Sequence, residues 1–176
     1  MVNQPYLKLV TENFQSIKKL ADRAMEQLNI DELTYTPNEE SNSIAVLVRH
    51  MSGNLKSRFS DFLTSDGEKP DRNRDGEFAG TYESKHQLIE AWNSGWEVLF
   101  KTLSGLKEED LNKTVLIRNE PHSVMEAIQR QIVHQSSHSG QIVYLAKMIK
   151  DKEWTTLSIP RGKSEKFNQQ MNEQFK

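Results

Sequence analysis

The chain has 176 residues, 35% of them hydrophobic and 27% charged, with a formal net charge of -2 and no cysteine. That length fits one domain, because typical domains hold about 100–150 residues, and the absence of cysteine excludes disulfides, thiolate nucleophiles and Cys-type zinc sites together. Lysine and arginine are scattered rather than clustered, which argues against nucleic acid as a partner, and no apolar run approaches the ~20 residues of a membrane-spanning helix.

From Tyr6 to Leu28 the apolar residues Leu7, Val10, Phe14, Ile17, Ala21, Ala24 and Leu28 recur in steps of three and four, which predicts a first helix. The opening MVNQPYLKLV has neither the basic start nor the apolar core of a signal peptide, so the cytoplasm is the expected location. Residues Asn29 to Glu40 are polar and contain Pro37, and Asn42 or Ser43 then offers an N-cap to a second helix over about Ile44 to Leu63. Thr64 to Gly80 combines three glycines, a proline and alternating charge, so a long loop is expected there, both a crossover along the bundle and a functional segment. A third helix is predicted from about Tyr82 to Leu103, with Leu88, Ile89, Trp92, Trp96, Leu99 and Leu103 as its buried stripe and Gly105 placed to end it. Glu108 to Glu120 reads as a polar connector. Ser123 and Glu126 then form a capping box that opens a fourth helix, whose stripe is Val124, Ile128, Ile132, Ile142, Leu145 and Ile149, ending before Asp151. The remainder, 151–176, reads as a tail packing on the bundle, too rich in proline and glycine for a long helix. Four amphipathic helices imply an all-α four-helix bundle, one domain over 1–176, with a long crossover between the second and third helices.

The chemistry lies in the histidines. His134 and His138 stand at i and i+4 on the fourth helix, a spacing that brings two imidazoles to one ion. At 100° per residue His138 falls inside the apolar stripe and His134 at its edge, so both rings face the interior. Gln131 and Gln135 share that face, with Gln141 just beyond, and a polar band in an inward face destabilises a core unless its groups are satisfied. His50, beside Leu47 and Met51 at the edge of the second helix's apolar face, is the best third ligand. His86 and His122 are read as solvated.

HMSGNL, beginning at His50, and HQSSHSGQIVYLAKM in the fourth helix resemble the DinB-like (YfiT-like) superfamily of metalloproteins over nearly the whole chain. The resemblance implies a four-helix bundle with a long crossover and a metal held by His50, His134 and His138. It also implies a homodimer carrying one divalent ion, zinc or nickel, and, by likeness to bacillithiol and mycothiol S-transferases, a small-molecule substrate such as a low-molecular-weight thiol. The tail Ile159 to Ser164, IPRGKS, looks like the signature of one branch of this superfamily, a branch to which no reaction is assigned. The functional expectation is therefore a metal-dependent transferase or hydrolase acting on a small molecule; the alternative is a non-catalytic dimeric metal- or ligand-binding stress-response module. Asn54 and Gln141 are candidates to orient substrate or water, and Arg161 and Lys163 to neutralise an anionic substrate, although surface charge explains the last two as well.

Three other patterns are read as decoys. Asp71, Asn73, Asp75 and Gly76 match the first half of a calcium-binding EF-hand loop, but Tyr82 stands where the bidentate glutamate is required, so the segment is expected to be an arginine–carboxylate network. Gly162-Lys163-Ser164 lacks the earlier glycine and the preceding strand of a phosphate-binding loop. His134-Gln135 departs from the HExxH of metalloproteases, which removes their built-in general base.

Overall fold

The computed structural model describes residues 5–175; residues 1–4, on which part of the signal-peptide reading rests, and residue 176 lie outside the described residues. The four long helices are α1 (Tyr6–Glu26), α3 (Ile44–Phe59), α4 (Lys85–Gly105) and α5 (Val124–Lys150). They form the expected all-α bundle, α1 packing on α5 and α3 on α4, with α3 also meeting α5. Its core holds Phe14, Met25, Leu47, Met51, Leu55, Leu88, Trp92, Trp96, Ile128 and Ile142, all essentially inaccessible to solvent. Trp92 and Trp96 are thus core residues as their helical spacing requires; Phe14 meets Trp96 edge-on at 6.3 Å, and the Trp92 indole N–H donates to Asp22 Oδ1 at 2.6 Å.

Local chemistry sets the helix ends. The Ser43 hydroxyl accepts from the Val46 amide to open α3, and Ser123 and Glu126 close the capping box of α5. Asp151, with φ 45°, ends α5 where a glycine is more usual. The helix α3 is shorter than its sequence suggests, stopping at Phe59 because Ser60 turns extended and Asp61 takes a positive φ of 47°. Likewise α4 begins at Lys85, capped by Ser84, and Gly105 is its last residue.

Three elements depart from the sequence reading. A short helix, α2 (Ile30–Thr34), lies in the first linker, opened by the reciprocal Asn29–Glu32 capping box. The connector before α5 contains a hairpin of β1 (Thr114–Ile117) and β2 (Glu120–Ser123), turned at Arg118 and Asn119 with φ of 56° and 62°. His122, on β2, is consequently half-buried rather than solvated, whereas His86 on α4 is exposed. The tail ends in α6 (Ser164–Gln174), because Pro160 and Gly162 precede this helix and leave its interior unbroken. Ahead of α6, Trp154 and Leu157 pack against the core, and Arg23 Nη1 donates to the Leu157 carbonyl at 2.9 Å.

The crossover from α3 to α4 is tied to the bundle at several points. Asp66 accepts the backbone N–H groups of Arg118 and Asn119 at 2.8 and 2.7 Å, so the crossover and the hairpin hold each other. Glu68 is bonded by Arg58, Arg72 and Arg118 at 3.1 to 3.3 Å. Of the segment Asp71 to Gly76, expected to form an arginine–carboxylate network, Arg72 alone joins it, and its acids are Glu68 and Glu77 rather than Asp71 and Asp75.

Candidate metal centre

The polar band of α5 is buried: Gln131, Gln135 and Ser139 are each at most 5% exposed, in register with Val124, Ile128 and Ile142. Beside this band His134 and His138 turn toward α3, where His50 is itself buried. One nitrogen from each ring lies within 4.8 Å of the others, and His50 Nε2 is 3.2 Å from His134 Nε2. Two ligands about 2.05 Å from a tetrahedrally bound ion stand about 3.3 Å apart, so this edge already has the required length. The three histidines can hold a metal ion.

The second nitrogen of each ring supports the same arrangement. His50 Nδ1 lies 2.9 Å from Glu77 Oε2, and the carboxylate holds a proton on Nδ1 and leaves the Nε2 lone pair free. His138 Nδ1 lies 3.0 Å from Gln141 Oε1, which fixes the same tautomer. At His134 the Gln135 amide nitrogen stands 3.5 Å from Nδ1, while Gln135 Oε1 is buried without a hydrogen-bond partner. Turning that amide over, a change that leaves its shape intact, presents an oxygen to Nδ1. The contacts at Nδ1 of His50 and His138 leave Nε2 of those two rings free.

Burial, then the neighbouring His138 and His50, push the His134 imidazole down to about 3. Burial also lowers His138, offset in part by Gln141. Both rings are therefore neutral near pH 7, as ligation requires.

Glu77 was missed by the sequence reading. It sits in a 3-10 turn at Asp75–Phe78, is 7% exposed, and takes two hydrogen bonds from Arg72, Nε to Oε1 at 2.8 Å and Nη2 to Oε2 at 2.9 Å. Burial opposes its charge, but the bonds from His50 and Arg72 prevail and hold the carboxyl below its ordinary value. Gly53, on α3 one turn beyond Arg49, makes this approach possible, since a β-carbon there would collide with the Glu77 carboxylate. The alternating charge of the crossover announced ion pairs but gave no sign of which acid would reach a histidine.

The histidines open onto a cleft of 370 Å³ that Asn54, Gln131, Phe78 and several arginines also line. Gln131 Nε2 donates to Asn54 Oδ1 at 2.8 Å, and the Phe78 ring lies 5.0 Å from His50. Gln141 borders a separate cleft beyond His138. Arg161 and Lys163 are exposed on the tail and do not line the histidine cleft.

Residues 1–163 match the family described as protein of unknown function, DUF1572. Among solved structures, a conserved protein from Enterococcus faecalis superposes with a TM-score of 0.69 at 18% identity, covering 83% of this chain and 98% of its own. A DinB-like protein from Bacillus cereus gives 0.62 at 14% identity, with 79% and 89% covered. No curated protein matches the sequence. The resemblance seen in the sequence is thus met in the fold, a DinB-like bundle.

Proposed function

The chain belongs to the DUF1572 family, and from that premise and its histidine cluster we propose that it is a divalent-metal enzyme, of thiol S-transferase or hydrolase type, acting on a small molecule in the cytoplasm. The observation that carries this reading is the convergence of His50, His134 and His138 at the wall of an open cleft. Three neutral imidazoles leave a zinc- or nickel-like ion with its full charge and at least one coordination position for another ligand, the pattern of catalytic rather than structural sites. When bound, such an ion supplies Lewis acidity to an oxygen or sulfur nucleophile.

The chain's own residues do the rest. Glu77 keeps the proton of His50 on Nδ1 and prevents that ring from turning. Gln141 does the same for His138. Asn54 and Gln131, already bonded to each other, present a polar wall on which a substrate can be oriented, and Phe78 shields one side of His50 from water. The protein is also read as a homodimer, supported by Val133, Tyr144 and Met148, which are 69%, 71% and 44% exposed along one side of α5.

The test is elemental analysis of tag-free protein together with the variants His50→Ala, His134→Ala and His138→Ala. One ion per chain is expected, lost or much depleted in each variant; full stoichiometry in all three would overturn the site. Turnover is tested on metal-loaded protein with a low-molecular-weight thiol and an electrophile, and separately with ester and amide substrates. Rates equal to those of the triple variant would leave a metal-binding module without catalysis.

A further inference from the structure

Five arginines, Arg58, Arg72, Arg74, Arg118 and Arg130, line the histidine cleft, and no carboxylate does. The whole chain, by contrast, has a formal charge of -2. The positive residues come from four separate segments: Arg58 from α3, Arg72 and Arg74 from the crossover, Arg118 from the hairpin turn and Arg130 from α5. On each of the two helices they continue the line of the ligands. His50, Asn54 and Arg58 follow one another at intervals of four on α3, as do Arg130, His134 and His138 on α5, so each helix lays a stripe of three such residues along the cleft.

The acids behind the wall do not satisfy it, and Asp66 is occupied by the backbone N–H groups of Arg118 and Asn119. Glu77 is taken by Arg72 and His50, and Glu68 is shared among Arg58, Arg72 and Arg118. Arg58 Nη1 is buried with no hydrogen-bond partner. The side chains of Arg74 and Arg130 enter no ion pair among the described residues, Arg74 meeting only the Phe78 ring at 5.8 Å. Arg118 holds its place at the rim with a φ of 56°, a conformation that is costly for a residue other than glycine, asparagine or aspartate. Guanidinium groups in excess over carboxylates, next to an apolar ring, suit a ligand with an anionic head and a short apolar body.

We propose that the substrate of this site is a small oxyanion-bearing molecule, a carboxylate or a phosphate ester, whose head is held by Arg130 and Arg118 while its body lies along Phe78 toward the three histidines. This names the substrate class of the metal site proposed above and rests on that reading for the chemistry, although the arginines are present whether or not an ion is bound. A volume of 370 Å³ lies at the small end of ligand sites and suits a small molecule.

The full-length protein, both chelator-treated and loaded with Co2+, is titrated calorimetrically with succinate, with inorganic phosphate and with the neutral analogue succinamide. Both anions are expected to bind and succinamide is not; the tighter of the two identifies the oxyanion. Arg130→Gln and Arg118→Gln should each weaken anion binding about tenfold or more, with cobalt stoichiometry unchanged and Arg130→Lys recovering part of the loss. Absence of anion binding in both protein forms, equal binding of succinamide, or unchanged affinity in both variants would overturn the inference. Cobalt stoichiometry reports on the histidines alone. A chain that takes up no cobalt yet binds the anion through Arg130 therefore defeats the metal reading and upholds this one.

Discussion

Glu77 is the side chain on which two parts of the molecule depend at once. Its side chain is 8% exposed and that of Arg72 opposite it 5%, so removing the acid takes two hydrogen bonds from a buried guanidinium, leaves it only its longer contact with Glu68, and frees the His50 ring. Glu77→Ala is expected to cost about 3–5 kcal/mol of folding stability, read from urea denaturation. The gentler Glu77→Gln keeps the shape and should instead lower metal affinity about 10- to 100-fold, read by competition with a chromophoric chelator. The acid response follows from the same residues. His134 has a folded pKa of about 3, well below its ordinary value near 6.5, and the Glu77 carboxyl is held below its ordinary 4.5. For both groups the unfolded chain takes up protons before the folded chain does, so the stability they contribute is intact above the unfolded value and is lost as pH falls. The metal-free protein should lose stability progressively below about pH 6.5, and His134→Gln should flatten the upper part of that decline in thermal melts across pH.

Among elements, the contact of α3 with α4 is the tightest constraint. A β-carbon added at Gly95 would stand 2.7 Å from Ser52 Cα, backbone that cannot yield without parting the helices. Gly95→Ala should therefore destabilise the fold by about 1–3 kcal/mol, seen as a lower denaturation midpoint. Gly53→Ala is a different case, since the atom it meets is the end of the Glu77 side chain. It should weaken metal binding with a smaller loss of stability. The periodicity of the four long helices was readable because each buries one stripe, and the caps Ser43 and Ser123 are local side-chain chemistry. The hairpin was not readable: its strands are four residues each and its turn is Arg118-Asn119 rather than the Asn-Gly that ordinarily announces a type I′ turn. The helix α6 was obscured because it has little apolar face, only Phe167 and Met171 standing one turn apart. The helix α2 did carry its signal, the Asn29–Glu32 capping box, inside a linker read as uniformly polar.

At the scale of the whole molecule, sequence order and helix phase were enough to bring rings at 50, 134 and 138 to one place, because α3 and α5 are neighbours in a bundle and each histidine lies at the margin of a buried stripe. What surrounds them was not readable. Arg72 and Arg118 reach the cleft, and Glu77 the far side of the His50 ring, through the path of the crossover and the hairpin, which no periodicity encodes, so the tail residues Arg161 and Lys163 stood out in the sequence while the arginines that line the cleft did not. Association is the other property of this scale. If the exposed side of α5 mates with a second copy, light scattering should give twice the mass of one chain, and Tyr144→Glu should return it to that of a single chain without altering metal content.

The bond between His50 and Glu77 joins a helix residue to a segment that otherwise lacks regular secondary structure along most of its length. An occupant that orders the imidazole must also quieten the backbone from Asp66 to Phe78, and anything that immobilises that backbone must in return slow the occupant's escape. Amide exchange in this stretch should accordingly fall when the ion is added, at positions that never touch it.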